Sequence, residues 1–363
     1  MLCYGIAFFY FVYICTDYQP LTVMKIFSAL LLSAFVGTVP ICAQDSALAD
    51  SIVKYQMASG GWAKNQNWLN GCDQKYMAEC MRTGVGSTID NGATTSELEV
   101  LAMTLKKNSK PKYYTAFVRG VQYLLNMQYD NGGWRQFFPQ RSNESYANHI
   151  TFNDNAMVRV MRLLWDVANS KGDVGSVDIP ENMRTAAKVA FWKGVGCILN
   201  CQIRDKEGRL TVWCQQHDEN TLLPASARKY ELASYCGFGE SVDIVMLLMD
   251  ILEETQDYTG TGVSRKQLKG SIEAAIEWFE THPIRDMKIE YFTNSDGKPD
   301  KRMVEEKGAP LLWARYYDLE KGEPMYSDRR GEVLRSFNDI QYERRNGYQW
   351  VGDSPMKAIK RWR

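Results

Sequence analysis

A phrase of the form Gln-x-x-x-Gly-Gly-Trp recurs along the chain and restricts its fold more than any other feature. Gln56 is followed four residues on by Gly60-Gly61-Trp62, and Gln128 by Gly132-Gly133-Trp134. A looser copy begins at Gln202 and continues to Gly208 and Trp213. The first two tryptophans are 72 residues apart, and the third follows 79 residues later. An interval of that length holds two helices and their connections. A helix pair cannot bury its apolar face alone, so such units stack on one another or close into a ring. The glycines give the turns backbone angles that other residues resist, and the tryptophans are expected to fill the gaps between successive pairs.

The stretches between these phrases carry helical periodicity. Apolar residues fall at three- and four-residue spacing in 94–107, 113–128, 155–168, 182–202, 240–254 and 266–281. Strand-like alternation is confined to short runs such as Leu210–Trp213. From about Tyr291 the chain becomes rich in charge and turns, with one further helix expected after Pro310, over Leu311–Tyr317. The expectation is an all-α fold, a single-domain (α/α) toroid built from repeated helix pairs, with the last part covering one face.

The N-terminus reads as an export signal. Met24-Lys25 precedes an apolar run from Ile26 to Val39 and a cleavage-like Cys42-Ala43. The run is too short for a stable membrane span. Residues 1–23 are read as sequence upstream of a true start at Met24, or as part of an anchor. Residues 1–43 are thus assigned to a signal peptide with an N-terminal extension, residues 44–363 to the mature domain, and the location to the periplasm or outside the cell. Six cysteines follow Ala43. In an oxidising compartment Cys72 and Cys80 are the best candidate disulfide, whereas Cys197 and Cys201 read equally well as buried thiols. The 43 basic and 43 acidic residues cancel, which argues against a nucleic-acid partner. No protein partner is implied, and a monomer is expected.

Four polar segments interrupt the helical pattern. The first, Ser87–Glu97, contains Asp90-Asn91-Gly92 and a capping box from Thr94 to Glu97. The second, His149–Met157, places Asp154 among asparagines just before a helix. An Asp-Asn turn is usually a cap, but two of them one repeat apart can meet at one end of a helical array. Hard oxygen ligands of this kind suit Ca²⁺, with water or an anionic ligand completing its coordination. The third runs from Trp213 through His217-Asp218-Glu219 to Arg228-Lys229-Tyr230-Glu231. The fourth holds Arg302, Arg315, Arg329 and Arg330, and guanidinium groups match carboxylates bidentately. His149 and His217 are expected to orient loops, and His282 to be structural.

Taken together, these segments resemble polysaccharide lyase family 10, the pectate lyases. The resemblance rests on Gly60-Gly61-Trp62 with Lys64-Asn65, Ser87–Thr95, Asn131–Pro139, His149–Met157, Leu210–Glu219, Pro224–Glu231 and Trp313–Asp318, which span roughly residues 50–335. It implies calcium-assisted β-elimination of α-1,4-linked polygalacturonate on an (α/α) toroid. It further implies that Asp90 and Asp154 hold Ca²⁺, that Asn91 contacts the sugar, and that Arg228 acts as the base. Arg315, Arg329 and Lys64 would bind substrate carboxylates. Arg330-Gly331 stands where the family pattern has an acid and a glycine, so Arg329 and Arg330 compete for one role. Calcium and neighbouring arginines would favour the neutral form of Arg228, which implies an alkaline optimum. A helical glycoside hydrolase drawing on Asp90, Asp154, Asp218 and Glu219, and a non-catalytic binder of acidic glycans, are the competing readings, and exposed aromatics such as Trp68 and Phe137-Phe138 could serve any of the three.

Overall fold

The computed structural model describes residues 41–141 and 145–363. The expected export signal lies outside them, apart from residues 41–43 at the start of the first helix. The helices are α1 (Ile41–Lys54), α2 (Gln74–Thr83), α3 (Thr95–Lys107), α4 (Pro111–Asn126), α5 (Ala156–Asn169), α6 (Gly172–Gly175), α7 (Glu181–Cys201), α8 (Glu240–Glu254), α9 (Arg265–Thr281), α10 (Tyr342–Asn346) and α11 (Pro355–Trp362). All six stretches of helical periodicity are helices, with ends within two residues of the expected bounds. Helices α3 and α4, α5 and α7, and α8 and α9 pack as pairs. The pairs form two layers, α3-α5-α8 in one and α1-α4-α7-α9 in the other, and α11 closes against α8 and α9.

The recurrent phrase does the same structural job in each copy. The Gln56 amide donates to Gly60 O (2.7 Å) in its own turn and to Ala116 O (2.8 Å) on α4. Gln128 donates to Gly132 O (2.9 Å) and to Ala190 O (2.8 Å) on α7. Gln202 donates to Thr211 O (2.8 Å) and to Ser271 O (2.9 Å) on α9. Each glutamine therefore clips its turn to the next pair. The indoles point the other way: Trp62 donates to Ile52 O, Trp134 to Leu124 O and Trp213 to Ile198 O, at 2.7–2.8 Å, tying each turn to the preceding helix. Trp313, donating to Phe279 O at 2.9 Å, is a fourth member of the series. All four tryptophans are fully buried. Two glycines make room for them, since a Cβ on Gly120 would stand 2.9 Å from the Trp62 ring and one on Gly194 2.9 Å from the Trp134 ring.

The all-α toroid is incorrect. Ten short strands lie among the described residues, concentrated in the last third of the chain. Tyr235–Cys236, Tyr316–Tyr317, Pro324–Ser327 and Val333–Leu334 form one four-stranded antiparallel sheet. Met287–Thr293 and Pro299–Glu305 form a hairpin, and Trp313–Ala314 pairs with Val351–Gly352. Ile150–Thr151 pairs with Gln216–His217 between the helix pairs. The helix expected over Leu311–Tyr317 is replaced by two of these strands. Trp313, Ala314, Tyr316 and Tyr317 are all buried, and a short apolar run buried on every side has no periodicity to separate strand from helix. Strands of two residues are likewise too short to alternate.

The six cysteines that follow Ala43 are free thiols, so the expected Cys72–Cys80 pair is corrected as well. Cys80 faces inward from α2 beside Met77, whereas Cys72 stays in the loop before the N-cap Asp73 and accepts from the Gln74 amide. Cys197 and Cys201, one turn apart in α7, are buried with their sulfurs 3.9 Å apart.

Candidate active site

Three copies of one backbone turn build the acidic side of the site. Thr88 N–H donates to Trp62 O (3.0 Å), Thr151 N–H to Trp134 O (3.0 Å) and Cys236 N–H to Trp213 O (2.7 Å). From these equivalent anchors the chain turns into α3, α5 and α8. The first two copies pass through 3₁₀ turns, Asp90–Gly92 and Asn153–Asn155, whose middle residues are left-handed, with φ 53° at Asn91 and 52° at Asp154. Asn and Asp tolerate this conformation better than other side chains. The third passes through Gly239 at φ 64°. An acid follows each anchor, but one position later each time: Asp90, Asp154 and Glu240. The two 3₁₀ turns pack together, and α8 packs on the second.

Convergence at helix N-termini leaves these carboxylates crowded. Burial, then the charges of Glu240 and Asp90, push Asp154 up to about 6 from its ordinary 3.8, against the opposing pull of Arg315. Asp90 is 3% exposed, with one oxygen paired to the Lys64 ammonium and the other, Oδ1, buried without a hydrogen-bond partner. The Asn153 amide donates to Asp154 Oδ2 at 2.8 Å. Asn91 lies at the rim, donating to Asn65 Oδ1 at 3.0 Å.

Cationic groups face this cluster. Arg315 Nη2 donates to Glu240 Oε1 at 2.5 Å, and the same oxygen accepts from the Gln215 amide at 2.7 Å. Tyr316 donates to Gln215 Oε1 at 2.6 Å and shares a 2.8 Å hydrogen bond with the Tyr348 hydroxyl. Arg228 pairs with Glu231 through two nitrogens, Nε at 2.8 Å and Nη2. Burial opposes the charge on Arg228, but the Glu231 pair outweighs it and holds the guanidinium above its ordinary value. The expected drift toward a neutral arginine therefore meets a local carboxylate that the spacing did not reveal. Glu231 also acts on Asp154, which links the Arg228 side to the acids. Lys64, Asp90, Asp154, Arg228 and Arg315 thus belong to one neighbourhood.

The two competing arginines separate. Arg329 pairs with Glu343 at 2.8–2.9 Å and lies 5.5 Å from the Tyr230 ring, on the residue next to Glu231. Arg330 turns to Asp328, whose side chain is fully buried. The glycosidase candidates Asp218 and Glu219 are engaged elsewhere. Asp218 Oδ1 caps its own loop through Asn220 N and Thr221 N, and Glu219 Oε2 lies 2.8 Å from His149 Nδ1. His149, Asp218 and Glu219 place ligand atoms within 4.8 Å of one another. His217 is fully buried and loop-building, with Nδ1 2.8 Å from Leu222 O and Nε2 accepting from Cys214 N at 3.1 Å. His282 stacks on Trp278 at 4.4 Å. Of the aromatics expected to be exposed, Phe137 is buried, while Trp68 and Phe138 are half-buried and Trp68 donates to the capping-box Glu97 at 2.8 Å.

The family model for pectic acid lyase matches residues 56–359. The chain belongs to the pectic acid lyase family. A family 10 polysaccharide lyase from Cellvibrio cellulosa is 31% identical, with a TM-score of 0.72 over 87% of this chain and 90% of that one. An aspartate-to-alanine mutant of a family 10 polysaccharide lyase from the same organism, in complex with trigalacturonic acid, is 31% identical with a TM-score of 0.71, covering 87% of this chain and 91% of that one. No curated protein matches. This pectate lyase therefore carries a site in which sequence reasoning found five of the converging residues and missed Glu240, Gln215, Glu231, Tyr230 and Tyr348. Gln215, Tyr230 and Glu231 lie within the third polar segment but carried no assigned role, Glu240 left a signal as an acid opening a helix one repeat after Asp154, and Tyr348 left none.

Proposed function

We propose that this pectate lyase is exported to the periplasm or the medium, acts as a monomer, and cleaves polygalacturonate with calcium held by Asp90 and Asp154. The observation that carries the calcium reading is the crowding of Asp90, Asp154 and Glu240. A carboxylate raised by desolvation and then by its like-charged neighbours, still open to solvent, beside a buried oxygen with no partner, fits a hard divalent cation that takes oxygen ligands. Bound there, calcium would neutralise charge that builds on the substrate carboxylate.

The chain's own groups divide the remaining work. Arg315, Arg329 and Lys64 bind galacturonate carboxylates and hold the ring with its C5 proton turned toward Arg228. Withdrawal of charge from the carboxylate acidifies that proton, which Arg228 accepts. The electron pair of the broken C5–H bond forms a C4–C5 double bond, and the C4–O bond breaks with its electron pair going to the oxygen, which takes a proton from solvent and becomes the hydroxyl end of the other half of the chain. An arginine can accept a proton only after losing one, and the Glu231 pair opposes that loss. Activity is therefore expected to climb through the alkaline range.

The test is near-ultraviolet absorbance of the unsaturated product on polygalacturonate, with calcium and with a chelator. The chelator should abolish the signal, and Asp154→Ala and Arg228→Ala should each lose it in calcium. Undiminished product in chelator removes the metal from the mechanism, and full activity in either variant removes that residue.

A further inference from the structure

Arg344, on α10, is 6% exposed, yet its Nε and Nη2 are buried without a hydrogen-bond partner. A guanidinium placed in this way is unfavourable for folding, so its presence calls for a reason other than stability. Its surroundings are aromatic. The guanidinium carbon lies 4.0 Å from the ring centre of Tyr230 and 4.2 Å from that of Tyr348, with Trp350 at 5.9 Å. Tyr348 carries one further arginine and Tyr230 two. Arg315 sits 4.7 Å over Tyr348, while Arg228 and Arg329 sit 4.9 and 5.5 Å over Tyr230. The order through space is Arg315, Tyr348, Arg344, Tyr230, and then Arg228 and Arg329. Arg344 is the cation common to both rings.

We infer that Arg344 is a positioning residue for the lyase reaction, fixing Arg228, Arg315 and Arg329 relative to one another through Tyr230 and Tyr348. The inference rests on the substrate-facing roles proposed above for those three arginines. A planar cation between two rings holds both rings by their electron-rich faces. The rings in turn set where the outer guanidiniums lie. Tyr348 is also fixed by its hydroxyl on Tyr316, and Tyr230 by its carbonyl, which accepts from Ser327 Oγ at 2.7 Å. Arg344 adds a second contribution, a buried positive charge beside the three arginines proposed to meet an anionic chain. Four guanidiniums share the neighbourhood with Glu231, Glu240 and Glu343, so the array is held against its own repulsion by carboxylates and rings together.

The two roles Arg344 could play predict opposite correlations. A structural residue loses stability and activity in parallel. A positioning residue with unmet N–H groups leaves the melting temperature unchanged or raised on replacement by Met, while activity falls. The experiment compares wild type, Arg344→Met and Arg344→Lys by thermal melting, near-ultraviolet circular dichroism of the tyrosine bands, and kcat and KM on polygalacturonate. The expected result for Arg344→Met is a folded protein with altered tyrosine bands and kcat/KM lowered by at least about tenfold, a modest figure for misplaced reacting groups. Arg344→Lys keeps the charge but not the plane and should recover only part of the loss. Wild-type kcat/KM in Arg344→Met, or a loss that the unfolded fraction fully accounts for, overturns the inference. If Arg344→Met does not fold, Arg344→Lys decides. A folded Lys variant with lowered kcat/KM supports positioning, and a fully active or unfolded one refutes it. A wild type that makes no unsaturated product refutes the underlying activity instead, which separates the two failures.

Discussion

The stability of this protein should carry a one-proton signature from His217 that can be removed by a single substitution. His217 is fully buried, pairs with Ile150 across the strands, and packs edge-on against Phe152 at 5.6 Å. Burial pushes the imidazole down from 6.5 to about 4, only partly offset by its bonds to Leu222 and Cys214. In the unfolded chain the ring takes up its proton near 6.5, whereas the native chain refuses it until about 4. The stabilisation is therefore fully present above pH 6.5 and is lost as pH falls from 6.5 to about 4. At 1.36 kcal/mol per pH unit the loss over that window amounts to about 3 kcal/mol. The segment at risk holds the site, because Gln215 O accepts from Phe152 N at 2.8 Å and Asn153 N at 2.9 Å, which fixes the turn bearing Asp154. Urea unfolding at pH 7.5, 6.5, 5.5 and 4.5 should show wild type losing stability faster than His217→Gln as pH falls. The variant should start about 1–3 kcal/mol lower at neutral pH, because glutamine cannot reproduce both ring bonds. Other titrating groups, including the lowered His282, are common to both proteins and cancel. Stability curves that run parallel across the window would refute the argument.

Gly120→Ala and Gly194→Ala should each destabilise by about 1–3 kcal/mol, because the added methyl meets Trp62 or Trp134 at 2.9 Å; an unchanged melting temperature in both would deny the tryptophans their place in the repeat. Arg329→Gln should raise KM on polygalacturonate with little change in melting temperature, since its Glu343 partner is exposed. Arg330→Gln should instead lower the melting temperature by stranding the buried Asp328 carboxylate, and the reverse pattern would reassign the two residues. Stability should also fall as pH drops below 3.8, where the unfolded chain protonates Asp300 while the Arg345 guanidinium holds the native carboxyl well down; Asp300→Asn should flatten that limb of an acid titration.

Six of the eleven described helices were legible because 3.6-residue periodicity survives over their length, as over the fourteen residues of α5 and the twenty-one of α7, whereas α1, α2, α6, α10 and α11 were not singled out. The sheet was not, because Trp313–Ala314 and Tyr316–Tyr317 are buried two-residue strands too short to show alternation. Trp313 belongs to the tryptophan series but lacks the Gly-Gly that marks the first two copies, and a hairpin intervenes before it. Among site residues, Asp90 and Asp154 showed themselves as acids in Asp-Asn turns. Glu240 looked like an ordinary acid complementing a helix dipole. Glu231 gave no hint that it would hold Arg228, since three-residue proximity acquires meaning only once the loop is folded.

The repeat and the chemistry are separable in this chain, and their difference in register explains the site. The anchors Thr88, Thr151 and Cys236 are equivalent by their bonds to Trp62, Trp134 and Trp213. If each copy carried its acid at the same position, the carboxylates would be related by the repeat and would project alike from three helix starts. Instead the acid advances one position per copy, from Asp90 to Asp154 to Glu240. The repeat supplies three similar helix N-termini side by side, each favourable to negative charge. The shift in register gives each carboxylate a different role: Asp90 meets Lys64, Asp154 is crowded by its neighbours, and Glu240 reaches Arg315. A symmetric scaffold thereby produces an asymmetric site, acidic on one side and cationic on the other, as an asymmetric sugar acid requires.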